Sequence, residues 1–414
     1  MSESHKTAAL KGVWKRPQMV VGLCIALAYV LVWPVGDYVI EDDWAFSLSL
    51  HNLHENGEVR ILHWNPHTLV VHLFWGLLFT KVLGFHLTLL KITTVLLMAA
   101  GTWAVMDLLR RLDVRPGIIT MAGLALVFNP LHFFQSFLYA TDVPALTWSS
   151  LALLFYFRGL VEEDTGPQLR WCWTASAFAS LAWGVRQSAV LVVGAVLLHL
   201  LIFQRPRLRK PSLWLACFLL PTLSVVGFLA WYHGVHGPTG TNVQYQGLVL
   251  SSLSRLTILG SAEVMFLLAM YSAFFLLPMV LAFGRSGRRG LKTRGSLAGV
   301  AAGLFLLGMF LWASFGRGVR FPYLQNKITQ FGFLSPNEIV LGNRPVLWGN
   351  TVGWVFTVIL LLAALLGSYH LIRGLREHAL PGGCPPDRRR WTRSGAALCG
   401  CCSCCYVFRA STVF

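Results

Sequence analysis

Four consecutive residues, Glu41-Asp42-Asp43-Trp44, stand just beyond the first long apolar stretch of a chain that is mostly apolar. Adjacent carboxylates at the edge of a membrane-length segment are costly to bury and pack badly, which marks them for chemistry rather than core building. A carboxylate pair can act as general base toward a hydroxyl, or hold a divalent cation through oxygen ligands. One of them can instead serve as a helix N-cap, but a cap leaves its neighbour unexplained. A second acid, Asp142, lies in Thr141-Asp142-Val143-Pro144 at the start of another apolar stretch, where Asp can cap and Pro suits the first turn. Gly184-Val185-Arg186-Gln187-Ser188 interrupts a third stretch, and an arginine there is expensive unless it reaches the surface or is paired. A guanidinium grips phosphate bidentately, so Arg186 reads as a phosphate ligand, with a loop arginine between two crossings as the plainer alternative. His63, His67, His72 and Lys81 accompany the first acidic group.

The elements that must hold these residues are membrane helices. Of 414 residues 55% are hydrophobic and 12% charged, and the mean hydropathy is +0.60, too apolar for a soluble protein. The net charge of +17 comes in short clusters between apolar runs, which points to membrane topology and away from nucleic acid. Cys399, Cys401, Cys402, Cys404 and Cys405 crowd the C-terminus, no outer loop carries a cysteine pair, and no disulfide framework follows. The basic N-terminus before the run from Met19 to Val35 has no small-residue cleavage site and reads as a retained first span.

Apolar runs fall near residues 18–36, 68–84, 86–108, 117–132, 142–158, 171–189, 190–203, 213–232, 262–283, 297–315 and 349–372. If all crossed the bilayer, Arg110, Arg111 and Arg115 would lie opposite the basic N-terminus, against the positive-inside tendency. The run 68–84, with His72 and Lys81 and interruptions at Gly76 and Gly84, suits the membrane surface instead. Ten crossings follow, with both termini cytoplasmic and the acidic run outside. The outer loops are then 37–85, 233–261 and 316–348, in a membrane domain spanning 1–380. Residues 381–414 form a basic, Cys-rich tail expected to be disordered or non-native. From Trp44 to Asn56, Phe46, Leu50 and Leu53 recur at helical spacing against Ser47, Ser49, Asn52 and His54, with Gly57 as a stop, predicting an amphipathic helix resting on the membrane.

Asp42-Asp43-Trp44-Ala45-Phe46 with Leu53-His54-Glu55-Asn56-Gly57, Phe128-Asn129-Pro130 with Thr141-Asp142-Val143-Pro144, the run Leu153 to Leu160, and Trp183-Gly184-Val185-Arg186-Gln187 together resemble the multi-spanning GT-C glycosyltransferases. The nearest group is the dolichyl-phosphate-mannose protein mannosyltransferase-like family, glycosyltransferase family 39, with its bacterial aminoarabinose-transferase relatives. The resemblance covers about residues 15–205. It implies an all-α bundle with two helices of the first outer loop along the membrane, an essential acidic motif in that loop, and a polyprenyl-phosphate sugar donor. The family's usual Asp-Glu pair is Glu41-Asp42-Asp43 here. Lys is frequent where Arg186 stands, and a Lys-Pro common near the end of the first loop is replaced by Asn65-Pro66-His67.

The expectation is an inverting membrane glycosyltransferase of the hexosyl- or pentosyltransferase type, acting on a lipid, glycan or protein acceptor at the non-cytoplasmic face. Asp42, Asp43 and Asp142 are the expected catalytic residues, and Glu41, Trp44, Arg186, Gln187 and His67 the substrate-binding ones. Asp42 and Asp142 are the candidate ligands if a divalent metal takes part. The expected location is a bacterial inner membrane, or the endoplasmic reticulum in a eukaryote. The rival function is a transporter or flippase of a lipid-linked or amphipathic solute, using the same charged residues for binding.

Overall fold

The computed structural model describes residues 17–236 except 34, 37–38, 40–41, 63–64, 66, 113, 163 and 205–209, together with 265–266, 269–270, 272, 297–311, 328–329, 332–333, 355 and 358–368. Glu41, His63, the tail 381–414 and nearly all of the outer loops 233–261 and 316–348 lie outside the described residues. The described residues fall into two compact units, 17–236 and a second drawn from 265–368.

The first unit is helical throughout: α1 (Pro17–Val32), α2 (Asp43–Asn56), α3 (Val70–Leu83), α4 (Leu87–Arg111), α5 (Pro116–Val127), α6 (Pro130–Ser136), α7 (Asp142–Val161), α8 (Thr165–Val185), a 3-10 turn (Gln187–Ala189), α9 (Val190–Phe203) and α10 (Pro211–His236). The second contains α11 (Leu297–Leu311), a two-residue hairpin pairing Ile328–Thr329 with Gly332–Phe333, and α12 (Val358–Ser368). The chain is an all-α membrane protein, as its composition and resemblance imply. By length and composition α4 and residues 211–232 of α10 suffice to cross a bilayer, and the α5–α6 pair can act as a third span. The expected ten crossings exceed what the described helices establish.

Proline and asparagine set the break between α5 and α6. Pro130 disfavours helical backbone at the residue before it, and the Asn129 side chain accepts from the amides of Leu131 at 3.0 Å and His132 at 3.2 Å, starting a new helix. The axis bends by 63°. The crossing expected over 117–132 is thus a bent helix pair, either a broken span or a re-entrant turn.

Three apolar clusters hold the first unit. Val21 and Ile25 of α1 pack with Val95, Met98 and Met106 of α4 and Ile119 and Val127 of α5. Phe46, Leu50 and Leu53 of α2 pack with Leu69, Leu73, Leu90, Tyr139 and Tyr232, while Tyr156, Leu160, Cys172, Leu200 and Cys217 join α7 to α10. Leu23, Leu27 and Leu31, at four-residue spacing on α1, stay exposed, as lipid-facing residues do.

Helices α2 and α3, expected at the membrane surface, pack against each other, with one correction to the expected breaks. Helix α2 stops at Gly57, whose φ of 71° suits glycine, and its Phe46, Leu50 and Leu53 are buried. Helix α3, however, runs straight through Gly76; a Cβ there would meet the Tyr139 hydroxyl and lie 2.6 Å from Leu50 Cδ2. Gly76 is a point of close approach, not an interruption. Lys81 Nζ donates to the His54 carbonyl at 2.7 Å, where a cation complements the C-terminal end of α2.

Candidate active site

Asp142 and Arg186 meet because α7 and α8 form an antiparallel hairpin. Asp142 begins α7 and Arg186 caps the end of α8, so the pairing of the two helices superposes these distant positions. Stacked Phe155 and Phe178 (ring centroids 5.2 Å apart) and Trp148 and Phe178 (5.8 Å) hold the hairpin together, and Gly159 lets Cys172 approach closely. Arg186 Nη1 forms an ion pair with Asp142 Oδ1. The capping role expected of Asp142 is thereby corrected: Thr141 holds the N-cap position without a side-chain cap bond, and the Asp142 carboxylate faces the guanidinium.

The pair is accessible, with side chains 54% exposed for Asp142 and 25% for Arg186. An ion pair of that exposure contributes about 0–1 kcal/mol to stability, so a ligand anion can exchange with the carboxylate at little cost. Gln187 and Ser188 follow on the same exposed turn.

Residues 68–71 are fastened to this corner. Thr68 Oγ1 donates to the Trp183 carbonyl at 2.6 Å, Leu69 N donates to the Val185 carbonyl at 3.2 Å, and the bare face of Gly184 receives Val71. Leu69 is buried with φ at 58°, a left-handed conformation that costs a branched residue about 1–3 kcal/mol and is held by these bonds. The His67 amide donates to Asn65 Oδ1 at 3.0 Å. The His67 ring consequently lies within electrostatic reach of both members of the pair: burial first, then the Arg186 charge, lower its pKa from 6.5 to about 4, partly opposed by Asp142. It is neutral at physiological pH.

Helix α2 reaches the corner through Phe46, whose ring centroid is 5.7 Å from His67 and 6.3 Å from His72. Asp43, one helical turn before Phe46, is 3% exposed and shares its buried stripe, whereas Asp42 and Trp44 face outward. Asp42 occupies the N-cap position without a side-chain cap bond, so capping does not explain it. Upstream, Gly36 is tied to α4, its amide donating to Thr88 Oγ1 at 3.0 Å and its carbonyl accepting from Lys91 Nζ at 3.0 Å.

The structure thus pairs Asp142 with Arg186, sets His67 within electrostatic reach of both, and places Asp43 one turn before Phe46, whose ring meets His67. Among the described residues no three His, Cys, Asp or Glu side chains group as metal ligands would. Asp142, one of the two candidate ligands, is paired with Arg186. Several residues at this corner escaped the sequence reading. Asn65 Nδ2 and Thr141 Oγ1 are buried without hydrogen-bond partners, Tyr139 donates to the His72 carbonyl at 2.8 Å and stacks on its ring, and His132 feels the Asp142 charge. Asn65 and Thr141 stand inside sequence motifs and Asn129-Pro130 lies just before His132, but no role was read for them, and nothing in local spacing marks Tyr139.

Residues 67–231 match the family model described as dolichyl-phosphate-mannose-protein mannosyltransferase. The matched segment is less than half of the chain; it includes His67, Asp142, Arg186 and Gln187, begins after Asp42 and Asp43, and extends past the reach of the sequence resemblance into α10. No match was found among curated proteins or among solved structures. The match points to a membrane glycosyltransferase, and with the apolar helices it makes the chain a GT-C-glycosyltransferase-like integral membrane protein.

Proposed function

We propose that the protein transfers a hexosyl or pentosyl group, with inversion, from a polyprenyl-phosphate-linked donor to a hydroxyl on a lipid, glycan or protein at the non-cytoplasmic face. The observation that carries this reading is the accessible Asp142–Arg186 pair beside a neutral His67. A donor phosphodiester bears one negative charge, and the polyprenyl phosphate that leaves bears nearly two. A guanidinium that exchanges Asp142 for the donor phosphate therefore binds the departing group more strongly than the intact donor, which is the condition for acceleration rather than mere binding.

In the proposed step the acceptor oxygen attacks the anomeric carbon as the bond from that carbon to the phosphate oxygen breaks. The hydroxyl proton passes to a carboxylate. Asp43 is assigned as that base because it shares the stripe of α2 that reaches His67 through Phe46; Asp42 faces outward. Asp142, once released from Arg186, orients the acceptor, and His67 offers an uncharged ring to sugar hydroxyls. Glu41, Trp44 and Gln187 complete the proposed binding surface.

Reconstituted protein given labelled polyprenyl-phosphate mannose and a membrane acceptor fraction should release polyprenyl phosphate in proportion to glycosylated acceptor. Passage of the donor across the bilayer with its sugar-phosphate bond intact would instead establish the flippase alternative.

A further inference from the structure

A second charged cluster stands at the opposite end of the α7–α8 hairpin, about 24 Å from the Asp142–Arg186 pair at 1.5 Å per helical residue. Asp107, fully buried near the end of α4, accepts from Arg110 through Oδ1, and through Oδ2 from Arg111 Nε at 2.9 Å and Arg158 Nη2 at 3.1 Å. Three guanidiniums thus share one carboxylate. Glu162 adjoins them, accepting from Trp171 Nε1 at 3.3 Å, which leaves these five side chains with a net charge of one positive unit. The Arg158 guanidinium lies over the rings of Phe155 (5.0 Å) and Trp171 (5.3 Å), and its Nε is buried without an acceptor. Beside it opens a cleft of about 220 Å³ lined by Arg111, Phe157, Arg158, Val161, Glu162 and Trp171.

We infer that this cleft binds the phosphate of an anionic phospholipid, with the acyl chains along Phe157 and Val161. Both halves of the chemistry are present. The surplus charge and the unpartnered Arg158 Nε ask for an anion, while Val161, 42% exposed at the end of a membrane helix, together with Phe157 and Trp171, offers an apolar wall that a free ion would not use. The shared ion pairs tie α4 to α7, so a lipid bound here braces the hairpin whose other end carries Asp142 and Arg186.

The test uses the full chain in neutral detergent, supplied with phosphatidylglycerol, phosphatidylcholine or inorganic phosphate, and reads lipid retention by native mass spectrometry and the melting temperature. Phosphatidylglycerol should be retained and raise the melting temperature, phosphatidylcholine should do neither, and inorganic phosphate alone should not stabilise. Arg111→Gln should weaken retention about fivefold. Val161→Trp, which fills the cleft without touching the ion pairs, should abolish it, and serves if the arginine variant does not fold. Equal retention of phosphatidylcholine, stabilisation by inorganic phosphate alone, or undiminished phosphatidylglycerol binding by Val161→Trp would overturn the assignment.

Discussion

At the scale of single residues, the proposed roles differ in what each side chain must do, and substitutions separate them. Arg186 is assigned to the leaving phosphate, so Arg186→Gln should lower kcat/KM for the donor by about 10²–10³, the usual effect of removing one oxyanion-stabilising donor. Arg186→Lys should recover only a small part, because an ammonium cannot reproduce the two-pronged grip. Asp43→Asn should reduce turnover by about 10²–10⁴ if Asp43 is the base, while Asp42→Asn should have a much smaller effect. The reverse ranking, measured in the donor-release assay, would transfer the role to Asp42. His67 supplies a pH signature. With its pKa lowered from 6.5 to about 4, the folded protein refuses a proton that the unfolded chain accepts. Its stabilisation is therefore complete above pH 6.5 and declines as the pH falls toward 4. Melting temperature against pH should show this decline, and His67→Gln should flatten it. The acids and Arg186 were legible in the sequence because charges are rare in so apolar a chain. The tightness of the corner was not: Thr68, Leu69 and Tyr139 act through contacts with residues far away in sequence.

At the scale of elements, the pattern of side chains identified α2 well and misled at α3 and α5. Helix α2 announces itself through Phe46, Leu50 and Leu53 on one face and a glycine that stops it. Gly76 shows the opposite case, since a glycine signals a break and a close approach with the same letter. Only the arrival of Tyr139 and Leu50, from other parts of the chain, decides between them. Gly76→Ala should consequently destabilise the protein by about 1–3 kcal/mol through overpacking, and Tyr139→Phe in the same chain should restore part of it by removing the hydroxyl. Thermal unfolding in detergent measures both; an unchanged melting temperature for Gly76→Ala would show that α2 and α3 do not pack as closely as described. The bend after α5 was legible in hindsight, for Asn129-Pro130 is a helix start inside an apolar run. Hydropathy averages over such a pair, and the local capping chemistry prevails.

At the scale of the whole molecule, the hairpin of α7 and α8 separates two charged ends by a membrane-like length. Twenty residues of α7 rise about 30 Å, enough to cross the hydrocarbon core. Neither helix is apolar enough to be recognised as a span by composition alone, because polar residues such as Asp142, Arg158, Gln168 and Arg170 fall within them. Counting crossings from hydropathy is weakest for such helices, since charged residues at their ends and polar residues such as the buried Gln168 lower the mean. The proposed reaction nevertheless requires a definite sidedness. Asp42, Asp142 and Arg186 must face one compartment, and the Arg110, Arg111 and Arg158 cluster the other, as the positive-inside tendency also asks. In a background depleted of native cysteines, Asp42→Cys and Ser188→Cys should react with an impermeant maleimide from the non-cytoplasmic side, and Thr165→Cys only after permeabilisation. All three positions are exposed, so a lack of reaction reports the membrane and not burial in the protein. Labelling of positions 42 and 188 from opposite sides would remove the acidic run from the Arg186 corner, and with it the base that the proposed transfer needs.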